Sequence, residues 1–313
     1  MTTLVSQADR QPVTAGAVAG RRGGGRDLLR AFLRNRMALA GLVVLALFVL
    51  AAVLAPLAAP YDPSAQHLAQ RFAGPGAAHP LGQDELGRDV LSRIIHGARI
   101  SLSAGLAAVV FTAVIGASVG LVAGYLRGWT DALLMRLMDI LLAFPSILLA
   151  IVIVTVLGQG LVNAMLAVGI VNIPQMARVV RASVITVRER EYVEAARALG
   201  ASRRRIVFLT ILPNTAAPLI VQATLTLATA ILDVAALSFL GLGAQAPTPE
   251  WGAMITDAFR SGFGVFLTGQ HAILFPGLAI ALCVLAVNFI GDGLRDALDP
   301  RRQISKPRNH RSW

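Results

Sequence analysis

Glu194-Ala-Ala-Arg-Ala-Leu-Gly200, followed by Ile211-Leu-Pro213, is the stretch on which the reading of this chain turns. It is a charged segment set between long apolar runs, and an ordered polar helix in such a place implies that something docks on it. The apolar runs come first in the argument. No Asp, Glu, Lys or Arg occurs between Arg36 and Asp62, Arg99 and Arg127, Asp139 and Arg178, Arg205 and Asp233, or Arg260 and Asp292. Overall the 313 residues are 56% hydrophobic and only 14% charged, with mean hydropathy +0.67. A soluble domain of this length is rarely so poor in charge.

A membrane-spanning helix needs about 20 apolar residues. Four of the runs hold one span each. The run after Asp139 holds two, because Gly158-Gln159-Gly160 supplies a turn in its middle. The expected fold is an all-α membrane protein with six transmembrane helices, at about 37–59, 101–125, 138–157, 161–178, 215–239 and 271–291. Helices are required because hydrocarbon cannot satisfy backbone polar groups. With an even number of spans both termini share a side. If that side is cytoplasmic, it collects 23 of the 28 Lys and Arg, and the basic-inside bias therefore places both termini there. The net charge of +11 follows from these flanks and needs anionic lipid headgroups rather than nucleic acid.

Within the polar segment, Arg188 to Leu199 contains no Gly or Pro and reads as a helix. Tyr192, Ala195, Ala196 and Leu199 fall at one-turn spacings and share a face. Gly200 ends that helix, Ser202 caps the next, and Pro213-Asn214 breaks the chain before the fifth span. The expectation is two short helices joined at a Gly bend. Small Ala195 and Ala196 allow close approach of a partner, and Glu194 and Arg197 offer charge at its rim. On composition alone a solvated basic loop is the favoured reading.

The spacing of Glu194, Ala195, Ala196, Gly200, Leu212 and Pro213 resembles the coupling loop of ABC-importer permeases. Leu29 to Pro63 (LRAFLRNRMALAGLV…APYDP), His79 to Leu102, Leu237 to Gly243 (LSFLGLG), Pro247 to Met254 (PTPEWGAM) and Gly291 to Arg301 (GDGLRDALDPR) resemble, in order, segments of the dipeptide/oligopeptide/nickel-type group, C-type subunit. The matches cover about residues 29–302. The resemblance implies a second related permease, two cytosolic ATPase subunits carrying ATP and Mg, and an extracytoplasmic solute-binding protein. It also implies a bacterial inner membrane, and a cytosolic coupling helix between spans four and five. Thr210 stands where relatives have Ile or His. Relatives commonly carry Glu where this chain has Val234, with Asp233 one residue earlier. A one-residue step turns a helix by about 100°, so Asp233 is expected on a different surface. There it has either a buried partner or wet cavity, or a place near the outer interface.

The resulting division is a basic tail at 1–30, an N-terminal span with an outer amphipathic segment at 31–100, a five-span core at 101–295 containing the coupling loop 179–213, and a basic tail at 296–313. Leu86, Val90, Leu91, Ile94 and Ile95 predict an amphipathic helix on the outer surface, either a landing surface for the binding protein or an interfacial anchor. Glu250, Trp251 and Asp257 are a second candidate for that surface. Gly116, Gly120 and Gly124 predict a helix-packing strip, and Pro145 predicts a kink. Cys283 is the sole cysteine and reads as a packing residue. The sole lysine, Lys306, lies outside any Walker pattern, and the five histidines form no ligand motif, so no catalytic, cofactor or metal residue is expected in this chain. A secondary transporter or channel subunit working without an ATPase is the alternative. It would be marked by charges in several spans or by inverted repeats, and only Asp233 qualifies.

Overall fold

The computed structural model describes residues 25–262 and 268–298. The expected tails at 1–30 and 296–313 therefore lie largely outside the described residues. Among the described residues the chain is helical, with no strand beyond an isolated bridge between Gln83 and Asp89. In chain order the helices are α1 (Gly25–Leu33), α2 (Arg36–Val53), α3 (Ala55–Ala58), α4 (Val90–Leu126), α5 (Gly128–Leu142), α6 (Ser146–Leu157), α7 (Leu161–Arg188), α8 (Glu191–Ala198), α9 (Arg203–Arg205), α10 (Leu212–Phe239), α11 (Trp251–Arg260) and α12 (Gln270–Leu298). A single 3-10 turn, Leu68–Gln70, lies in the long connection between α3 and α4.

Among the described residues five helices are long and apolar enough to cross a membrane, and a sixth span exists if α5 and α6 count as one. The span expected at 138–157 with a kink at Pro145 is broken there into two helices rather than bent as one. Pro145 has no N–H to donate and ends the helical ladder, and α5 and α6 meet at 93° across Ala143-Phe144-Pro145. The twelve residues of α6 rise only about 18 Å, less than the hydrocarbon thickness.

A second difference lies before the fifth span. The expected break at Pro213 is absent, and the chain is continuously helical from Arg203 to Phe239. Between α9 and α10, Ile206–Ile211 form a π-helical turn, with the Leu212 amide donating to the Val207 carbonyl five residues back. A proline removes one amide and crowds the preceding turn, and the wider π turn accommodates both effects.

Helix α4 packs along α7 through the glycine strip. A Cβ on Gly120 would lie 2.4 Å from the Ala177 carbonyl, and those on Gly116 and Gly124 would meet Met176 and Val184. The strip is thus a packing face, as its spacing indicates. Helix α10 lies centrally, packed against α4, α7 and α12. Its Ile231 joins Trp251, Met254 and Cys283 in one buried cluster, and its Val234 and Leu237 join Val109, Val154 and Ala164 in another. Helix α2 exposes an apolar face that includes Val43, Leu47, Leu50 and Val53, as a lipid-facing helix does.

Candidate coupling site and charged brace

The segment 189–213 sits at one end of the bundle. Helix α7 runs to Arg188, and Glu189-Arg190 turn the chain, so the helix expected from Arg188 begins only at Glu191. The turn is tied to the end of α4. Arg188 donates to the Tyr125 carbonyl (2.7 Å) and stacks over the Tyr125 ring, and Arg127 pairs with Glu189 (2.5 Å). Glu191 and Glu194 lie in the first turn of α8 and Arg197 in its last, the arrangement that complements the helix dipole.

What holds α8 is a single apolar anchor. Val193 is fully buried, in a cluster with Val184 and Val187 of α7 and Ile206 and Ile211 of the π turn. Ala196 packs half-buried at the edge of this cluster. At the C-terminus, Gly200 N–H donates to the Arg197 carbonyl and Ala201 N–H to the Ala196 carbonyl. This is the Schellman cap, which requires a left-handed residue at Gly200, where φ is +79°. Ser202 then caps α9 by accepting from the Arg205 amide (3.4 Å).

The structure thus brings Glu194, Ala195, Ala196 and Gly200 into one short element. Leu212 and Pro213 belong to a different one, the start of α10 just beyond the π turn. Tyr192, Glu194, Ala195 and Leu199 are exposed, and Leu199 keeps 88% of its surface. Leu199 thus stands bare on a polar helix, beside the small Ala195 and Ala196. Reading the sequence by face missed Val193, Ile206 and Ile211. Their signal is only that Val193 is the one β-branched residue in an otherwise polar and alanine-rich helix.

The opposite end is built from the 60–89 connection, the start of α4 and α11, and it corrects two expectations. Leu86 to Ile95 is not a surface helix. Residues 84–89 form a turn and α4 begins at Val90. The charged side of the pattern is turned inward: Gln83, Asp84, Glu85, Arg88, Asp89 and Arg93 are all buried. Arg88 bonds Asp84 (2.6 Å) and Glu85, and lies 3.5 Å from Asp257 of α11. Arg93 lies 3.3 Å from Asp84 and 3.7 Å from Asp257, and donates to the Pro63 carbonyl. Mutual pairing is what makes this burial tolerable, and it overrides the amphipathic pattern. Burial and the neighbouring Asp84 carboxylate push Glu85 up to about 7, against the pull of Arg88.

Glu250 and Trp251 are likewise fully buried and do not form an outer landing contact. Glu250 caps α11 by accepting from the Ala253 amide (2.9 Å) and from Ser101 (3.0 Å), while burial raises its pKa. The Trp251 indole donates to the Ile94 carbonyl (3.1 Å) and packs edge-on against Phe48. Asp233 lies half-buried on α10, and the adjacent Val234 is buried in the core. No group of three or more His, Cys, Asp and Glu among the described residues is arranged to hold a metal.

Residues 116–304 match the family model for the inner membrane component of binding-protein-dependent transport systems. The chain belongs to that family. Residues 25–75 match the N-terminal transmembrane domain of oligopeptide transport permease C. Among relatives, the dipeptide transport system permease DppC of Alkalihalophilus pseudofirmus is 49% identical over 276 residues, covering 88% of this chain and 90% of that one. The di/tripeptide permease DppC of Pseudomonas aeruginosa is 49% identical over 282 residues, covering 88% and 92%. The glutathione permease GsiD of Pectobacterium atrosepticum is 45% identical over 277 residues, covering 88% and 91%. Among solved structures, an inward-facing MetNI methionine ABC transporter matches with TM-score 0.53 at 22% identity, over 66% of this chain and 96% of the matched one. At that identity the match shows a shared fold.

Proposed function

We propose that this chain is a non-catalytic permease subunit of an ATP-driven importer for peptides or peptide-like solutes in a bacterial inner membrane. In this reading α5 and α6 make one broken span of six, both termini are cytoplasmic, and α8 is the cytosolic helix on which an ATPase seats. The partners are a second permease, two ATPase subunits holding ATP and Mg, and an extracytoplasmic solute-binding protein. The observation that carries the reading is the construction of α8. One buried valine and one left-handed glycine fix it to the continuous helix that becomes α10, while Tyr192, Ala195 and Leu199 remain bare. A load applied to that bare face is passed into α10 through Ile206 and Ile211 without crossing a break in the chain. Nucleotide can bias such an element only by different contacts in its two states.

The test is co-purification of tagged chain with its ATPase subunits, together with ATP-dependent uptake in liposomes. Glu194→Lys and Ala195→Trp are expected to lower ATPase capture and uptake while leaving the chain in the membrane. Gly200→Asp alone is a poor probe, because any Cβ at φ +79° is strained even though the space around it is empty. Gly200→Asn, which tolerates that backbone better, is expected to retain more capture than Gly200→Asp. Uptake driven by an ion gradient with no ATPase present would sink the reading in favour of a secondary transporter.

A further inference from the structure

Helix α10 leaves one face uncovered, and Gln222, Thr229 and Asp233 give that face a polar line. Pro218, Gln222, Leu225, Thr229, Asp233 and Ala236 follow at steps of four, three, four, four and three, so they form one stripe along the helix. None of the six is buried. On the opposite side Thr226, Ala228, Ala230, Ile231, Val234 and Leu237 are buried in the packing with neighbouring helices, while the apolar Ile220 and Leu232 stay exposed beyond the stripe. Toward the α8 end the stripe enters a cavity of about 470 Å³, which Val179 of α7 and Arg295 and Leu298 of α12 complete.

At the other end of the stripe stands Asp233. It makes no hydrogen bond or ion pair among the described residues. The acids of α5 do: Asp131 takes two bonds from Arg181 (2.5 and 2.6 Å), and Asp139 one from Arg178 (2.6 Å). Exposed hydroxyls on other spans satisfy themselves by donating back to their own helix, as Ser118 does to the Val114 carbonyl and Thr155 to the Ile151 carbonyl. An ionised carboxylate has nothing to donate and needs a cation or water. In hydrocarbon it would be costly, and the apolar exposed face of α2 shows what a lipid-facing surface of this chain looks like.

We propose that this stripe lines the solute path and that Asp233 binds the solute's ammonium group. The inference rests on the permease reading above and adds the lining residues and the charge they select. Gln222 and Arg295 at the far end offer hydrogen-bond donors for a carboxylate. From Gln222 to Asp233 the helix rises about 16 Å, so the path has an acidic end and a basic end. A zwitterionic peptide would pass from one to the other rather than bind both at once.

The experiment uses the whole assembly with ATPase and binding-protein subunits. Cys283 is the only cysteine, so Cys283→Ser gives a thiol-free background. Single cysteines at 222, 229 and 233 are treated with a membrane-impermeant charged thiosulfonate, with Leu47→Cys and Leu50→Cys on α2 as dry controls. A thiol must ionise in contact with water to react. The stripe thiols are expected to react about tenfold or more faster than the controls, at rates that change with nucleotide. Separately, Asp233→Asn is expected to lower ATP-driven uptake of a free dipeptide about tenfold, the loss of one charged hydrogen bond. Asp233→Glu should recover part of the uptake, and the ATPase content of both variants should match wild type. Thiols at 229 and 233 as inert as the α2 controls in every nucleotide state, or full uptake by Asp233→Asn, would overturn the proposal. In that case wild-type uptake driven by ATP would leave the permease reading standing. A wild-type assembly that accumulates nothing with ATP would remove that reading instead.

Discussion

The two ends of this molecule treat charge in opposite ways. At the α11 end, Asp84, Glu85, Arg88 and Arg93 are buried and Asp257 half-buried, and they approach one another as ion pairs across three chain segments, with Arg93 Nε and Nη2 and Asp257 Oδ2 left without a hydrogen bond. At the α8 end, Glu191, Glu194 and Arg197 stay exposed, and the ion pair nearest the turn, Arg127–Glu189, is open to solvent on both sides. A buried network tolerates few alternative arrangements, because displacing one member leaves another charge unpaired in a medium of low dielectric. An element held by one valine and one glycine can shift as a unit at little cost. The contrast predicts fixed geometry at the end with α11 and mobility at the end with α8.

The contrast breaks most easily at Arg93. Arg93→Ala leaves Asp84 and Asp257 facing each other without one of their two cations, and removal of one partner from a buried network costs about 3–5 kcal/mol. The purified assembly should unfold at clearly lower temperature. An unchanged melting temperature would show that the brace is not rigid. The pH dependence is the next largest effect. Glu85 has its pKa raised from 4.5 to about 7, so the folded state holds the proton more tightly than the unfolded one. Its contribution to stability is therefore greatest below pH 4.5 and falls as pH rises through 7, by up to about 3 kcal/mol for a shift of this size. Glu85→Gln should flatten that part of the stability profile. A wild-type profile already flat between pH 5 and 8 would mean that Arg88 keeps Glu85 ionised.

Much of this architecture was legible in the sequence, and the failures share a cause. Charge-free runs locate the long helices because bilayer thickness and backbone hydrogen bonding leave no other solution. The glycine strip on α4 and the Gly200 stop were readable because both depend on backbone geometry that only small residues permit. The charged brace was misread because the pattern from Leu86 to Ile95 records which side differs from the other and not which side faces inward. Pairing with Asp257, more than 160 residues away in sequence, reverses the assignment, and no local period contains it. The same limit applies at Pro213. Pro marks a missing donor, but whether the helix stops or widens by one residue depends on the packing of Ile206 and Ile211 beneath it. The placement of Asp233 was half visible: the one-residue offset predicted a different face, and only the packed helix shows that face to be open.

Smaller effects sharpen the mobile side. Val193→Ala removes two methyl groups from the only buried side chain of α8, worth about 1–2 kcal/mol. If α8 is a separately anchored element, the loss appears as faster amide exchange confined to residues 191–201, with little change in the melting of the assembly. Global destabilisation would instead make α8 part of the core.

The smallest effect is the most diagnostic. Glu189→Gln opens the pair with Arg127, which an exposed geometry values at no more than about 1 kcal/mol. On stability alone the substitution should be nearly silent. Arg127 follows α4, while Glu189 sits in the turn that carries α8, so the pair spans the junction between α4 and α8. If that junction bends during transport, the pair exists in one state and not in the other, and its loss shifts their ratio by up to about fivefold. The expected result is uptake altered in the same proportion at unchanged melting temperature, with the difference vanishing above about 0.5 M salt as screening removes the pair. If uptake is unaffected at every salt concentration, the turn at Glu189 moves together with α4, and the hinge must be sought in the π turn at Ile206–Ile211 instead.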